Sequence, residues 1–411
     1  MRDNLFPPPW FFKAKAGASS ASAHQVHEIC NRAVWRSLGA LDRLRAAALA
    51  IAWPLTAAAL AFLLLRQNAA AVRKLTDKSA VRQFFEIVSV AVRHRITPKY
   101  YFAFELYFDE HRTRAGDYLM RYETKEIAYR LLKPKVQTKG TPIKNKVGFA
   151  RYCADHELRA VPLVAAFRNG ARTTEVGDGT LPERDLFVKP VMSKGGTGAE
   201  RWNWIGNGLY RSTKGVELGG DAVLERVAML SKKKPYLMQW AMTNHAELRE
   251  LSVGALCTVR MLSIMNAQGV PEATDAALRM SINPTSAVDN FHAGGIAAAV
   301  DMETGKLGPA SDLGYGPKFV WHAHQPSTGA PIEGRVLPFW RETVELAIRA
   351  HTAFSEWTVI GWDIAILDDG PILIEGNKGP GIHVIQRCLR QPIGDGRFGH
   401  LLAHHLEQRT R

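Results

Sequence analysis

The spacing of hydrophobic and polar residues divides the chain into distinct parts. Residues 46–65 form a run of twenty residues without a charge. Over 76–140, apolar residues recur at spacings of three and four, which predicts a helical region. Over 141–411, short β-branched runs separated by Gly, Pro and Asn alternate with helical stretches. This pattern predicts an α+β domain preceded by a helical N-terminal region.

The first 40 residues differ in composition from the rest. They begin with Phe6-Pro-Pro-Pro-Trp10 and continue through a stretch rich in Ala and Ser, which predicts a poorly ordered basic tail over 1–40. The next segment, 41–75, is predicted as one apolar helix. The whole chain is 46% hydrophobic and 22% charged, which excludes wholesale disorder. Its four cysteines lie far apart with no CxxC pair, which favours a reducing compartment.

Positive charge is concentrated in the N-terminal third. Residues 1–144 hold 24 Lys and Arg against 11 Asp and Glu, whereas residues 145–411 hold 29 against 28. A nucleic-acid enzyme more often spreads its basic residues over a binding face of its main domain. No nucleic-acid partner is therefore expected.

Two apolar runs near the C-terminus carry the most informative polar residues. The runs 360–367 and 371–378 are separated by a short polar turn, which predicts a β-hairpin. Asp363, Glu375 and Asn377 interrupt these runs, and the two-residue strand period places Glu375 and Asn377 on one face. Two carboxylates and an amide oxygen form the hard-oxygen set that holds Mg²⁺ beside ATP phosphates. The hairpin therefore predicts a magnesium site.

A predicted strand over 185–190 places Lys189 just ahead of a loop of small residues. A lysine there, with the loop's backbone N–H groups, is suited to a triphosphate. The loop matches neither a Walker A motif nor a dinucleotide-binding fingerprint, and taken alone it is better explained as a flexible turn. Its candidate phosphate-binding residues are Ser193, Lys194, Gly195, Gly196, Thr197 and Gly198.

Two further strands supply candidate contacts to a nucleotide. The strand over 234–242 ends in polar residues, where Gln239 and the backbone are suited to read an adenine edge. Its neighbours Trp240 and Met242 are suited to pack against the adenine face. Arg260, in Cys257-Thr-Val-Arg260, is costly to bury without an anion, which favours a phosphate partner.

In this order, the motifs resemble the ATP-grasp superfamily. The layout is similar to its branch named sugar-transfer associated ATP-grasp, described as related to α-L-glutamate ligases, over about residues 95–395. Besides the motifs above, the resemblance rests on Thr97-Pro-Lys-Tyr-Tyr101, Lys144-Asn-Lys146, Asn290-Phe-His-Ala-Gly-Gly295 and His324-Gln-Pro-Ser-Thr-Gly329.

The resemblance implies an ATP-grasp fold, in which two α+β subdomains clamp ATP and a lid subdomain covers about 185–240. It implies that Lys146 and Lys189 bind phosphate and that the acidic hairpin binds magnesium. Arg260 and Arg279 match positions near the γ-phosphate and the acyl-phosphate, and Asn290 and His292 match positions that approach the intermediate. One departure is Gln239, which stands where many relatives carry a hinge glutamate. For the ribose contact the candidate is Glu247.

The implied function is an ATP- and Mg²⁺-dependent carboxylate–amine ligase that works through an acyl-phosphate. Its expected partners are small-molecule carboxylate and amine substrates. The branch name associates it with cell-envelope or exopolysaccharide chemistry. A small-molecule kinase on the same fold and a degenerate nucleotide-binding module at a membrane are the alternatives.

The apolar run 46–65 has three interpretations. It has the length of a membrane span, but nine of its residues are Ala, Pro54 lies near its middle, and basic residues flank both ends. A helix lying in the membrane interface would keep an ATP-using domain in the cytosol without exporting the upstream arginines. A helix buried against the main domain is the third interpretation. The interfacial interpretation predicts a cytoplasmic protein held at an anionic membrane surface, on the inner face.

Overall fold

The N-terminal region is helical, in agreement with its three-and-four spacing. The computed structural model describes residues 20–134, 142–175, 179–192, 198–283, 294–316 and 320–410. The first elements are α1 (Ala21–Ser37), α2 (Ala40–Thr76), α3 (Ala80–Arg93), α4 (Lys99–Ala103), α5 (Asp109–Thr113), a 3-10 turn (Ala115–Asp117), a π-helix (Glu123–Ala128) and α6 (Tyr129–Leu131).

A seven-stranded antiparallel sheet follows. After α7 (Lys146–Asp155), its elements are β1 (Leu163–Arg168), β2 (Ala171–Glu175), β3 (Leu186–Pro190), β4 (Glu200–Gly206), β5 (Leu209–Ser212), β6 (Glu217–Gly219), α8 (Gly220–Ser231) and β7 (Tyr236–Trp240). The strand order is β2-β1-β7-β3-β4-β5-β6. The predicted lid range 185–240 covers β3 to β7. The sheet extends beyond it, because β1 pairs with β7 and brings β2 along.

The second sheet has six antiparallel strands and carries the predicted acidic hairpin. After a 3-10 helix (Ala246–Leu251), its elements are β8 (Thr258–Met265), β9 (Pro271–Met280), β10 (Ile296–Val300), β11 (Leu307–Ser311), α9 (Trp340–Ala353), β12 (Val359–Leu367), β13 (Gly370–Asn377), α10 (Ile382–Leu389) and α11 (Arg397–Thr410). The order is β11-β10-β9-β8-β12-β13. The predicted hairpin is confirmed as β12 and β13.

Helices cover both faces of the second sheet. On one face, Leu346 and Ala350 of α9, with Phe354 just after it, pack with buried strand residues such as Val259 and Ile364. On the other face, α1, α10 and α11 pack against strand residues such as Leu262 and Ala297. Helices therefore cover the sheet on both faces and make it a rigid support for the side chains at its edge.

Helix α1 differs from the prediction of a poorly ordered tail over 1–40. The Ser20 hydroxyl accepts a hydrogen bond from the Ala23 backbone N–H, which caps the helix. Val26, Ile29 and Cys30 form a buried stripe at helical spacing that packs with α11. The Ala- and Ser-rich composition concealed this stripe, because a few apolar residues at the right spacing suffice to bury one face.

Helix α2 contains the apolar run and is largely exposed. Its inner face packs on α3, where Trp53 Nε1 donates a 2.8 Å hydrogen bond to the Ala91 carbonyl. Among the described residues, α2 is the helix that is long and apolar enough to cross a membrane, by length and composition. Only 17% of its most apolar 18-residue window is buried.

Candidate active site

A cavity of about 980 Å³ opens between the two sheets, and residues from both line it. Most of the predicted nucleotide, metal and catalytic residues meet there. Those that line it are Lys146, Lys189, Gln239, Trp240, Met242, Arg260, Arg279, Asp363, Glu375 and Asn377. Lys146 begins α7, and the others come from β3, β7, β8, β9 and the β12–β13 hairpin or follow β7 closely in the chain. Strand pairing therefore brings together most of these residues, which are far apart in sequence.

The acidic hairpin places its three polar side chains at one point. Asp363 on β12 lies directly opposite Glu375 on β13, beside a register shift that follows Asp363. Asn377 Nδ2 lies 3.4 Å from Glu375 Oε1 and 3.5 Å from Asp363 Oδ2. Between them, Gly376 packs so closely that a Cβ would lie 2.9 Å from Ile143 Cγ1. Because Gly376 has no side chain, β13 can pack against Ile143 while its polar side chains line the cavity.

The hairpin's donor set fits Mg²⁺. Within the described ranges, no group of three His, Cys, Asp or Glu side chains could hold a metal ion. The candidate site consists instead of two carboxylates and one amide. Mg²⁺ is commonly bound by one or two carboxylates, with waters and substrate phosphates completing its octahedron. A 180° turn of the Asn377 amide would present its oxygen to a cation in place of the Nδ2 group.

Two arginines neutralise the buried Asp363. Arg260 lies opposite Asp363 across β8 and β12, and its Nε and Nη2 donate to the two carboxylate oxygens at 2.5 and 3.0 Å. Arg279 Nη2 lies 3.3 Å from Asp363 Oδ2 and also contacts the Thr258 hydroxyl. Burial disfavours the charged carboxylate, but the two guanidinium groups outweigh it and lower the pKa of Asp363 to about 2. Asp363 is therefore ionised at neutral pH.

The two predicted phosphate lysines line the same cavity from different elements. Lys146 begins α7, which Asn145 caps, and its Nζ lies 3.4 Å from Glu375 Oε2. Lys189 lies on β3, whose alternation buries Leu186 and Val188 on the other face. Burial lowers the pKa of Lys189 to about 8, and Lys146 adds to this effect while Glu375 opposes it. An anion between the two lysines would restore the favourable charge balance.

The predicted adenine-reading strand lines the cavity, but its glutamine is engaged elsewhere. Gln239 is buried, and its Nε2 donates a 3.1 Å hydrogen bond to the Val161 carbonyl, which ties β7 to the segment before β1. The Arg184 guanidinium lies 3.9 Å from the centre of the Trp240 ring. Met242 is half-buried at the end of the strand. The apolar surface for a base is present there.

Some predicted residues lie outside the cavity or outside the described residues. Glu247 is exposed on the 3-10 helix 246–251 and is not among the lining residues. Gly198 has φ +82°, and a Cβ there would lie 3.1 Å from the Tyr236 hydroxyl, so this position requires glycine. Ser193, Lys194, Gly195, Gly196 and Thr197 of the loop, with Asn290 and His292, fall outside the described residues.

The cavity also has a basic wall that the sequence analysis missed. Its cationic residues include Arg130 and Lys133, which follow the π-helix, with Lys144 and Lys378. The signal available in the sequence was the density of Lys and Arg over 121–146. Their convergence depends on the register of β13 and the packing of the N-terminal helices, which the sequence pattern does not define.

Comparison with known proteins gives a family match. Residues 131–391, more than half of the chain, match the family described as Sugar-transfer associated ATP-grasp. No curated protein is similar enough in sequence to match this chain.

Similar solved structures include two ligases that join alanine residues and an amino acid ligase. D-alanyl-alanine synthetase A from Vibrio cholerae O1 biovar eltor str. N16961 is 11% identical, with 65% of each chain covered and a TM-score of 0.38. The D-alanine–D-alanine ligase from Bacillus anthracis, complexed with ATP, is 9% identical, with 65% of this chain and 66% of that chain covered and a TM-score of 0.37. L-amino acid ligase from Bacillus licheniformis is 11% identical, with 63% and 51% covered and a TM-score of 0.32. This chain thus spans about two thirds or less of each of these proteins.

Proposed function

We propose that this chain, which belongs to the sugar-transfer associated ATP-grasp family and has its fold, is an ATP- and Mg²⁺-dependent carboxylate–amine ligase. One observation carries the proposal. Asp363, Glu375 and Asn377 converge in the cavity between the two sheets, with the cations Lys146 and Lys189 facing the same space. This arrangement is suited to hold a triphosphate with its metal and to stabilise charge on a transferred phosphoryl group.

The proposed reaction has two steps. A carboxylate oxygen of the first substrate attacks the γ-phosphorus, the bond to the ADP oxygen breaks, and an acyl-phosphate forms. An amine then attacks the acyl carbon, and phosphate leaves with the original carboxylate oxygen while the amine nitrogen loses a proton. Lys146 and Lys189 would bind and orient the phosphates, and Arg260 and Arg279 would lie near the transferred group. Magnesium, when bound, would neutralise negative charge on the phosphates and on the hairpin carboxylates.

The burial of the cysteines supports a mechanism in which the substrate carboxylate attacks ATP directly, without a covalent enzyme intermediate. All four are buried. Burial raises the pKa of the Cys153 and Cys388 thiols to about 12, and burial together with the nearby Glu123 carboxylate raises that of Cys30 well above its usual value. Since the thiolate is the nucleophilic form, these groups are unsuited to form a covalent enzyme intermediate at neutral pH.

The test is product analysis with labelled oxygen. The full chain is incubated with Mg-ATP, pooled amino acids and sugar acids carrying ¹⁸O in their carboxylates, and a new mass is sought together with the released phosphate. An acyl-phosphate route transfers one ¹⁸O to phosphate and yields an amide. A kinase would release no labelled phosphate and would yield a phosphoester, which would overturn the proposal. Lys189→Met serves as the inactive control.

The cellular setting is a further part of the proposal. Leu44, Ile51, Leu55 and Phe62 share one face of α2 and are each more than 60% exposed. Arginines flank this face at both ends. These features support a cytoplasmic enzyme held on the inner face of an anionic membrane, where cell-envelope or exopolysaccharide precursors would be substrates.

A further inference from the structure

The cavity extends beyond the predicted nucleotide and metal residues to a cluster of cations. Arg130, Lys133, Lys144 and Lys378 line this part, and we call them the basic wall. They come from three separate segments: the residues after the π-helix, the residues before α7, and the residue that follows β13. Their convergence therefore depends on the tertiary fold.

Like charges are close together in the basic wall. The ammonium groups of Lys378 and Lys144 lie within hydrogen-bonding range of each other, and Lys133 is close enough to interact electrostatically with Lys378. Lys378 Nζ also lies 4.8 Å from the centre of the Trp357 ring, and Trp357 lines the same cavity. Such repulsion costs free energy in the folded chain unless an anion offsets it.

The basic wall has no carboxylate partner in the described part of the chain. No Asp or Glu there forms an ion pair with Arg130, Lys133, Lys144 or Lys378, and Glu126 is the one acidic residue that lines this end of the cavity. The cations beside the acidic hairpin, in contrast, do have carboxylate partners. Lys146 pairs with Glu375, and Arg260 and Arg279 pair with Asp363.

We infer that the basic wall binds a phosphate or diphosphate group that one of the two substrates other than ATP carries in addition to its reacting carboxylate or amine. The inference rests on the proposed function and names the class of its substrate. A phosphate monoester carries close to two negative charges and three acceptor oxygens, so one such group can satisfy several ammonium ions, whereas a carboxylate carries one charge. The phosphates of ATP already have Lys146, Lys189 and the hairpin metal as proposed partners.

The experiment measures anion binding in the full chain with the nucleotide site occupied. The protein is saturated with Mg²⁺ and AMP-PCP, which cannot transfer its phosphoryl group, and is then titrated with methylenediphosphonate by calorimetry. We expect saturable binding of one diphosphonate. In the variant Lys144→Gln/Lys378→Gln its affinity should fall about tenfold for each lysine, the change expected for losing one charge-assisted hydrogen bond.

A matched control uses two exposed lysines at the end of α8. Lys232→Gln/Lys233→Gln removes the same charge far from the cavity lining and should leave diphosphonate affinity unchanged. If the wild type binds no diphosphonate, or both double variants bind it equally well, the inference is overturned. If Lys144→Gln/Lys378→Gln instead loses affinity for AMP-PCP alone, the lysines belong to the nucleotide site and the inference is also overturned.

Two glycerol phosphates distinguish the sources of the phosphate group. Glycerol 3-phosphate and dihexanoyl phosphatidic acid share a headgroup and differ in their acyl chains. Lysine-dependent binding of both supports a site that reads the phosphate, and tighter binding of the lipid indicates a lipid-linked substrate. The effect of the two lysine substitutions on the affinity for these phosphates can be measured whether or not AMP-PCP binds. Failure of the proposed nucleotide site and failure of the basic wall therefore give different results.

Discussion

Arg260 and Asp363 face each other across paired strands, and two guanidinium nitrogens contact the two carboxylate oxygens. Asp363 is 3% exposed, so its removal would leave Arg260 and Arg279 without their buried counter-charge. Removing one partner of a buried ion pair lowers the free energy of unfolding by about 3–5 kcal/mol. A loss of activity in such a variant would not distinguish a missing functional group from an unfolded protein. Glu375, whose side chain is 32% exposed, is therefore the better residue for testing the metal site.

We predict that Glu375→Gln lowers Mg²⁺-dependent affinity for AMP-PCP and turnover by about 100-fold or more. Gln preserves the volume but removes one anionic ligand, and even outer-shell partners of a metal contribute about 10 to 100-fold. Affinity is measured by calorimetry over a Mg²⁺ series, with circular dichroism to check the fold. The exposed Glu303→Gln is the control and should match wild type. Near-normal values for Glu375→Gln would exclude Glu375 from the metal site.

We predict that Lys189→Met weakens AMP-PCP binding while the thermal midpoint stays at or above that of wild type. Methionine fills similar space and removes a charge that burial disfavours, as the lowered pKa of about 8 shows. In wild type the lysine loses its proton as pH rises through 8, so affinity should fall between pH 7.5 and 9.5. The variant should show a flatter pH profile over that window.

Binding measurements at several pH values check this prediction. Lys232→Met, an exposed lysine outside the cavity lining, is the control for general charge effects and should follow the wild-type profile. Equal nucleotide affinity in wild type and Lys189→Met at pH 7.5 would remove Lys189 from the phosphate site.

We predict that protonation of His351 destabilises the fold in mild acid. This buried ring contacts the Ser263 hydroxyl and the Trp357 carbonyl, both at 2.7 Å, and burial lowers its pKa from 6.5 to about 4. Between these values the unfolded chain binds more protons than the folded one, so the free energy of unfolding falls as pH drops from 6.5 to 4. The full contribution is on the order of 3 kcal/mol.

Urea unfolding at pH 7, 5.5 and 4.5 checks the His351 prediction. His351→Gln should be less stable than wild type at pH 7 but should lose less stability on acidification. Asp275, whose pKa is raised to about 6 by burial, acts in the opposite direction and does so in both proteins. The exposed His400→Gln should keep the wild-type slope, and an equal slope in His351→Gln would contradict the prediction.

Local sequence signals explain how much of the fold and site could be predicted. The β12–β13 hairpin was accessible because two apolar runs with a polar turn define both strands and their register. The β1–β2 hairpin has a local signal of its own, the Asn169-Gly170 pair at its turn. Asn169 and Gly170 both have positive φ, as a two-residue hairpin turn requires.

The basic wall shows where sequence reasoning stops. The sequence shows that positive charge is concentrated in residues 1–144, but it does not show that Arg130, Lys133 and Lys144 of this region line the cavity. Charge counts along the chain cannot show this, because the wall forms only when the residues after the π-helix meet the end of β13. Conversely, the motifs of the family resemblance already contain the hairpin residues and the two lysines that line the cavity.

The final prediction concerns α2. We predict that the full chain floats with vesicles containing anionic lipid at low salt, and that Ile51→Ser/Leu55→Ser/Phe62→Ser abolishes flotation. These three side chains are 77%, 78% and 61% exposed on one face, so their replacement should leave the packing of Trp53 on α3 intact. Nearby Lys and Arg residues contribute about 1 kcal/mol each close to an anionic surface.

Point variants are the sharper test here, because deletion of residues 1–70 would also remove α1, whose Val26 and Cys30 belong to the core beneath the second sheet. The control Met229→Ser/Val270→Ser/Val336→Ser removes three other apolar side chains that are each more than half exposed and should still float. An interfacial helix should be partly released by high salt or alkaline carbonate, because charge supplies part of its membrane affinity, whereas a spanning helix should resist both. If the wild-type chain stays at the bottom of the gradient at low salt, the exposed face of α2 has another partner and the membrane proposal is wrong.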